Sequence, residues 1–527
     1  MNYQDLFRVT LPETALEVAA LVVLIVDLGF LRKAALKVRV TAAALLGVAG
    51  CGAALWALQF QGHGGLSFGD TGEIYLLATG GFAQVAQTGI LVLTALTLLL
   101  LIDSDFTRHV GEFVAVVLMA AAGGLLIAAA QDLLVIFVGL ELLSLGLYIL
   151  TAFAKSSGNS AEAALKYYLF GGMSAAFLLF GFSYLYGLNG STSLCSIGYA
   201  IAQGESGTSP LFYVAWVLII AGLGFKVAAV PFHLWAPDTY QGAPAPAAAF
   251  IASVSKIASF ALLINVCVYV LNVGAFEGQK DQIIRWLHEY YATGVRLAGI
   301  ILVVSAASMI VGNLAALAQS SVRRLLAYSA IAHAGYILLG VAVHGSIPAA
   351  GEPGNLIFAF YRSQMVSANA VLFYVLTYGL TTIGAFGVVS VVERATGSDR
   401  LDSFLGLHKR NPLLAAVLLV LFLSLAGIPP LVGFWAKFNL FAAVLGVSAG
   451  PVPFALVALA VALSAVSLYY YLQVLKRAYV MPAIDDSPIK AHPVTIIVLV
   501  GIAAVVVLFG CFPALLQGWI ASFYPTI

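Results

Sequence analysis

The chain has 527 residues, of which 62% are hydrophobic and 9% charged, with a mean hydropathy of +1.03 and a net charge of +1. A water-soluble domain carries about 25% charged residues, so this composition excludes one, and the near-neutral balance offers nothing to nucleic acid. Apolar runs of about 20 residues follow one another in place of short alternating segments, which excludes a β-barrel and predicts an all-α polytopic membrane protein.

About fourteen spans are expected, centred near Leu21, Val48, Val92, Met119, Ser144, Ala175, Ile220, Ile257, Val304, Ile337, Thr381, Leu425, Ala462 and Val505. The opening MNYQDLFRVTLPETALEV lacks both a basic n-region and a small-residue cleavage site, so it reads as the start of the first span and not as a removable signal. Alternate loops then sort by basic charge. One side collects Arg32, Lys33, Lys37, Arg39, Arg108, Lys155, Arg323, Arg324, Arg394, Arg400, Lys409, Arg410, Lys476, Arg477 and Lys490; the other has Arg8, Lys280, Arg285, Arg296 and Arg362. The positive-inside rule makes the first side cytoplasmic and puts both termini on the opposite side.

The remaining basic residues, Lys166, Lys226, Lys256 and Lys437, fall inside spans, as does Glu141 in VGLELLSLGLYIL. A charge at the bilayer centre costs about 2.5 to 3.5 kcal/mol on the mildest scale, so packing alone does not account for the set. Glu141, Ser144 and Tyr148 share one helical face, which should point inward. Ser329, His333 and Tyr336 repeat that logic on the tenth span. Lys226 precedes Pro231 in GLGFKVAAVPF, and Lys437 follows the Pro429 and Pro430 of GIPPLVGFWAKF. Proline removes an N–H and frees an upstream carbonyl, so the seventh and twelfth spans should be interrupted, and the freed carbonyls must find water or polar side chains. Glu141 beside Lys226 would favour a charged lysine until the two separate, and Lys256, one span later, would compete with it for charge. Lys166 is expected to snorkel or join a relay. His233, just past the first break, is as readily structural as functional.

There is also an internal echo. LSLGLYIL and IAHAGYILL, and the two lysine-and-proline segments, are offset by about 190 and 210 residues, and the parity of the spans between them would invert the second unit in the membrane. No metal or redox site emerges. Cys51, Cys195, Cys267 and Cys511 are far apart, and no glycine-rich nucleotide turn or paired metal-binding histidine occurs.

FKVAAVPFHLWAPDTYQGAPAPAAAFIASVSKIA (Phe225 to Ala258), GLELLSLGLYIL, RRLLAYSAIAHAGYILLG (Arg323 to Gly340) and SLAGIPPLVGFWAKF (Ser424 to Phe438) closely resemble the N subunit of proton-pumping NADH-quinone oxidoreductase, respiratory complex I. The resemblance covers essentially the whole chain. It implies N-terminal helices over 1–105, a first antiporter-like unit over 106–275, an inverted second unit over 290–480 and a C-terminal helix over 490–527. It further implies a glutamate–lysine pair at Glu141 and Lys226, a central lysine at Lys256 and a terminal lysine at Lys437. The residues themselves, and not the resemblance, add His333 as a relay between Lys256 and Lys437, with Lys166, His233 and Tyr148 ranking lower. No cofactor is expected in this chain; NADH, FMN, iron–sulfur clusters and quinone would belong to partner subunits. M-type and K-type membrane subunits are the implied neighbours in a bacterial inner membrane. A subunit of a multisubunit cation/proton antiporter is the alternative. The M-type subunit carries a glutamate at the position of Lys437, which favours the N type.

Overall fold

The computed structural model describes residues 3–61, 64–68, 74–202, 209–271, 280–343, 356–447, 450–483, 485 and 487–523. The N-terminal part holds α1 (Tyr3–Val9), α2 (Leu11–Ile25), α3 (Leu36–Leu58), a β1–β2 hairpin (Gly64–Phe68 and Ile74–Thr79) and α4 (Gly81–Leu101). Next come α5 (Val110–Ala129), α6 (Leu133–Thr151), α7 (Gly158–Asn189), α8 (Leu194–Ala202), α9 (Pro210–Lys226), α10 (Trp235–Gly242) and α11 (Ala245–Leu271). The remainder is α12 (Lys280–Leu317), α13 (Val322–Ala342), α14 (Leu356–Thr396), α15 (Leu407–Arg410), α16 (Pro412–Ala426), α17 (Val432–Val447), α18 (Pro451–Tyr479), α19 (Pro493–Cys511) and α20 (Pro513–Ser522).

Among the described residues, 11 helices are long and apolar enough to cross a membrane; α9, α16 and α17 are apolar but shorter. The short ones are the interrupted ones. Helix α9 stops at Lys226 before Pro231 and the chain resumes helix at Trp235, while α16 stops at Ala426 before Pro429 and Pro430 and resumes at Val432. Starts are set by ordinary capping chemistry: Asp132 accepts from the Leu134 N–H at 2.8 Å, Ser321 from Arg324 at 3.1 Å and Asn411 from Leu414 at 3.0 Å. The β-hairpin is not foreseen in the sequence reading, and it departs from a purely helical chain only at one loop.

Burial separates the helices by role. The membrane window of α11 is 100% buried and that of α13 94%, whereas that of α18 is 22% buried. Helices that are apolar all round and enclosed are the natural carriers for polar groups held away from lipid. The basic loops gather at one end through a set of ion pairs: Asp27 with Arg39 at 2.6 Å, Asp238 with both Lys166 at 2.8 Å and Arg324 at 2.6 Å, Arg323 with Glu393 at 3.2 Å, and Asp103 with Arg394. The side chains of Lys280, Arg285 and Arg362, expected at the other end, lie outside the described residues.

Candidate functional site: lysines at two broken helices

The two breaks share one construction. Pro231 has no N–H, so the carbonyl four residues earlier, that of Val227, loses its helical partner; Pro430 does the same to the carbonyl of Ala426. In each case the following residue turns into the left-handed region, Ala228 with φ 57° and Gly427 with φ 89°. The Val230–Pro231 and Pro429–Pro430 peptide bonds are both cis. A lysine ammonium takes each freed carbonyl: Lys256 Nζ donates to Val227 O, and Lys437 Nζ donates to Ala426 O at 2.9 Å. Lys437 also donates to Ser464 Oγ at 2.7 Å. The expectation that polar side chains answer the freed carbonyls is met, and the side chains are the lysines themselves.

Gly427 is required on two grounds. Its φ is one that L side chains rarely adopt, and a Cβ there would stand 3.0 Å from Lys437 Cδ. The ammonium therefore lies directly against the broken backbone. Lys256, Lys437, His333 and Lys226 are only 2%, 6%, 4% and 8% exposed, which keeps all four out of lipid.

Between the two lysine sites stands His333 on α13. Its Nδ1 is 2.8 Å from the Tyr374 hydroxyl and its Nε2 is 3.4 Å from that of Tyr471, which in turn bonds Ser329 Oγ. Both ring nitrogens thus face hydroxyls that can donate or accept, and the tautomer is free to follow the network. Lys256 and Lys437 each lie within electrostatic reach of this ring. A small cavity of about 10 Å³ adjoins it, lined by His333, Tyr374, Thr377, Tyr378, Thr381 and Ser424 among others. Lys437 sits 5.4 Å over the ring of Tyr336, whose hydroxyl accepts from Asn313 Nδ2 at 3.0 Å.

Glu141 and Lys226 interact through the field and not through contact. Lys226 Nζ donates to Ser144 Oγ at 2.6 Å, and Ser144 in turn donates to Leu140 O at 2.5 Å. Glu141 is within electrostatic range of Lys226 but belongs to none of the ion pairs among the described residues. The inward-face expectation needs correction here. Ser144 and Tyr148 are buried, but Glu141 is half-buried and falls on the stripe of exposed Leu134, Val138, Leu145 and Ile149. The helical repeat of 3.6 residues carries position 141 to the rim of that stripe, since it lies three and four residues from Val138 and Leu145.

Tyr148 packs against Gly171 and edge-on to Tyr167 at 4.8 Å; Tyr167 stacks on Trp235 at 4.3 Å, and Trp235 Nε1 donates to Phe225 O at 3.0 Å. An aromatic ladder therefore connects the Glu141 helix to the first break. Lys166 points elsewhere: it is held by Glu162 at 2.6 Å and Asp238 at 2.8 Å in the ion-pair layer at the basic end. His233 is half-buried in the broken segment, makes no hydrogen bond to another candidate and has an unpartnered Nδ1. Tyr374, Tyr471, Asn313 and Ser464 belong to the site although sequence reasoning passed over them. For Tyr374 the signal was a polar stripe, Tyr374, Thr377, Tyr378 and Thr381, at helical spacing on α14; the other three carried none.

A family model described as NADH:quinone oxidoreductase/Mrp antiporter, TM, matches residues 130–352 and 350–464. The NADH-quinone oxidoreductase subunit N 2 of Acidobacterium capsulatum is 46% identical, covering 99% of each chain. A chain in the respiratory complex I of Thermus thermophilus with bound aureothin superposes with TM-score 0.74 at 32% identity, covering 97% of this chain and 100% of that one. The Mrp complex of Dietzia shares the fold, with TM-score 0.76 at 20% identity and 98% and 97% coverage. Full-length identity of this order, together with the family match, establishes that the chain belongs to the N subunits of NADH-quinone oxidoreductase.

Proposed function

We propose that this subunit moves protons along Lys256, His333 and Lys437, with Glu141 and Lys226 as the pair through which a neighbouring subunit's charge state is felt. The chain is a proton-translocating membrane-arm subunit of NADH-quinone oxidoreductase; electron transfer from NADH through FMN and iron–sulfur clusters to quinone belongs to partner subunits. The single observation that carries the reading is the matched pair of freed carbonyls, each occupied by a buried lysine, with His333 between.

The chemistry follows from the donors. A lysine ammonium that has lost its proton keeps two N–H groups and gains a lone pair, so it can hold the carbonyl while accepting a new proton. Two ammonium groups in a low-dielectric interior disfavour joint charging, so protonating Lys256 promotes release from Lys437. His333, between two hydroxyls, can take a proton on one nitrogen and give one from the other. Ser144 carries the influence of Lys226 back toward Glu141, whose partly exposed carboxylate is placed to meet a membrane partner such as a K-type subunit.

Two antiporter-like units over 106–275 and 290–480 are inverted relative to one another, a reading supported by the shared construction of the breaks. About fourteen spans follow if α2 is the first, the 11 long helices each count, and the interrupted helices α9–α10 and α16–α17 each count once. The basic end is cytoplasmic, both termini are on the other side and the membrane is a bacterial inner membrane, with M-type subunits as further neighbours. The test is Lys437→Ala in the reconstituted complex. NADH oxidation by a water-soluble acceptor should persist while NADH-driven acidification is abolished; normal proton translocation in that variant would refute the role.

A further inference from the structure

Away from the lysine row, a narrow surface-open cleft of about 10 Å³, room for about one water, lies at the basic end of the bundle, where α4, α11, α14 and α19 meet. Its rim is braced by an ion pair. Arg394 pairs with both carboxylate oxygens of Asp103, Nη2 to Oδ2 at 3.0 Å, and Asp103 also accepts the His492 backbone N–H at 3.0 Å. Ser390 and Thr495 supply hydroxyls to otherwise apolar walls. Thr495 is 2% exposed and its Oγ1 has no partner. A buried hydroxyl left in that condition, beside space that reaches solvent, marks a position for water.

Two of the helices that line the cleft lead to the row. On α11, Ala249 forms part of the lining; Ser253 Oγ donates to Ala249 O at 2.6 Å, and Lys256 lies one turn further. On α14, Ser390 and Phe386 line the cleft, and two turns back the chain passes Gly379, packed under Leu93 Cδ1, with Ser253 Cβ 3.7 Å from where its own Cβ would stand. Tyr378, next to that glycine, has its ring 4.8 Å from the ring of His333.

We propose that this cleft is the port by which protons from the basic side reach Lys256, with the Asp103–Arg394 pair as its latch and the Ser390 and Thr495 hydroxyls holding its first waters. The inference rests on the lysine row being the proton path. When the latch parts, a hydronium at the mouth passes a proton to water beside Thr495; that water passes one toward Ser253, and the last transfer converts the neutral Lys256 amine to ammonium. Each water ends as it began, and the net change is one proton moved from solvent to Nζ. With the latch closed, Arg394 neutralises Asp103; when it parts, the freed carboxylate attracts a cation to the mouth.

The test uses the whole complex in proteoliposomes with Ser390→Leu, which fills the cleft from a half-buried position, and Thr495→Val, which keeps the shape and removes the hydroxyl. Expected are a fall of about tenfold or more in NADH-driven proton translocation for S390L and a severalfold fall with a larger solvent deuterium isotope effect for T495V. Ser390→Thr should retain translocation, and NADH oxidation by a soluble acceptor should be normal throughout. Wild-type translocation with an unchanged isotope effect in T495V overturns the port, and it does so even if S390L fails to assemble. Lys437→Ala, measured alongside, separates the two ideas: if it stops translocation while S390L and T495V do not, the port is wrong and the row stands; if it too translocates normally, the row itself is wrong.

Discussion

Replacing Lys256 with Met removes an ammonium while keeping most of the side-chain volume, and the structure sets two opposing terms. The lost hydrogen bond to Val227 O is one to a charged group, worth about 1.5 to 3 kcal/mol, and Pro231 leaves that carbonyl with no helical substitute. Against this, taking a charge out of the membrane interior recovers about 2.5 to 3.5 kcal/mol. The terms nearly cancel. The variant complex should therefore assemble in normal yield and keep its NADH oxidation with a soluble acceptor. Proton translocation has no such compensation, because among the described residues no other titratable group bonds Val227 O. A loss of about 100-fold, equivalent to about 2.7 kcal/mol in the barrier, is expected. The assay is dye-quench measurement of NADH-driven acidification in proteoliposomes, normalised to subunit content. A complex that assembles in reduced yield, yet pumps normally per assembled particle, would refute the reasoning and assign Lys256 to fixing helix register.

Gly427→Ala should cost about 1 to 2 kcal/mol from the left-handed backbone alone, and should also displace Lys437, so pumping falls further than thermal stability of the complex. Tyr374→Phe removes the hydroxyl 2.8 Å from His333 Nδ1 and should slow translocation several-fold without affecting assembly, as read by the same acidification assay. Arg323→Met is of the opposite kind: this buried guanidinium donates to Tyr240 O at 2.9 Å, to Ala243 O and to Glu393, so its loss should cost about 3 to 5 kcal/mol and show as a reduced yield of assembled complex. Glu141→Gln keeps the shape and removes the charge. It should reduce coupled turnover while leaving the Lys226–Ser144 hydrogen bond in place, a distinction visible in a structure of the variant.

The spans were legible because a membrane demands long apolar runs, and the breaks because proline subtracts an N–H at a countable position. The lysines stood out on cost alone. Their partners did not: nothing in one dimension says that Lys256 reaches across to Val227, on the preceding broken helix, and not to Glu141. The sequence reading matched Lys226 with Lys437, since each lies beside its own proline. In three dimensions Lys256 is the one that meets the first freed carbonyl as Lys437 meets the second. Tyr374 and Tyr471 were missed because an aromatic residue in a membrane helix is ordinary packing until a histidine is found between the hydroxyls. The orientation of Glu141 depended on which neighbours bury α6, a property of the packed bundle and not of its own spacing. Lys166 was open between two readings, and its pairing with Asp238, far along the chain, is not visible in one dimension.

The most direct test of the central claim is a double-mutant comparison of proton translocation in the reconstituted complex: Lys256→Met, Lys437→Ala and both together. If protons pass Lys256, His333 and Lys437 in series, either single change closes the same path, and the double variant translocates no more slowly than the worse single one. Barrier increases that simply add, or a Lys437→Ala complex that translocates at the wild-type rate, would contradict a single proton path through this subunit.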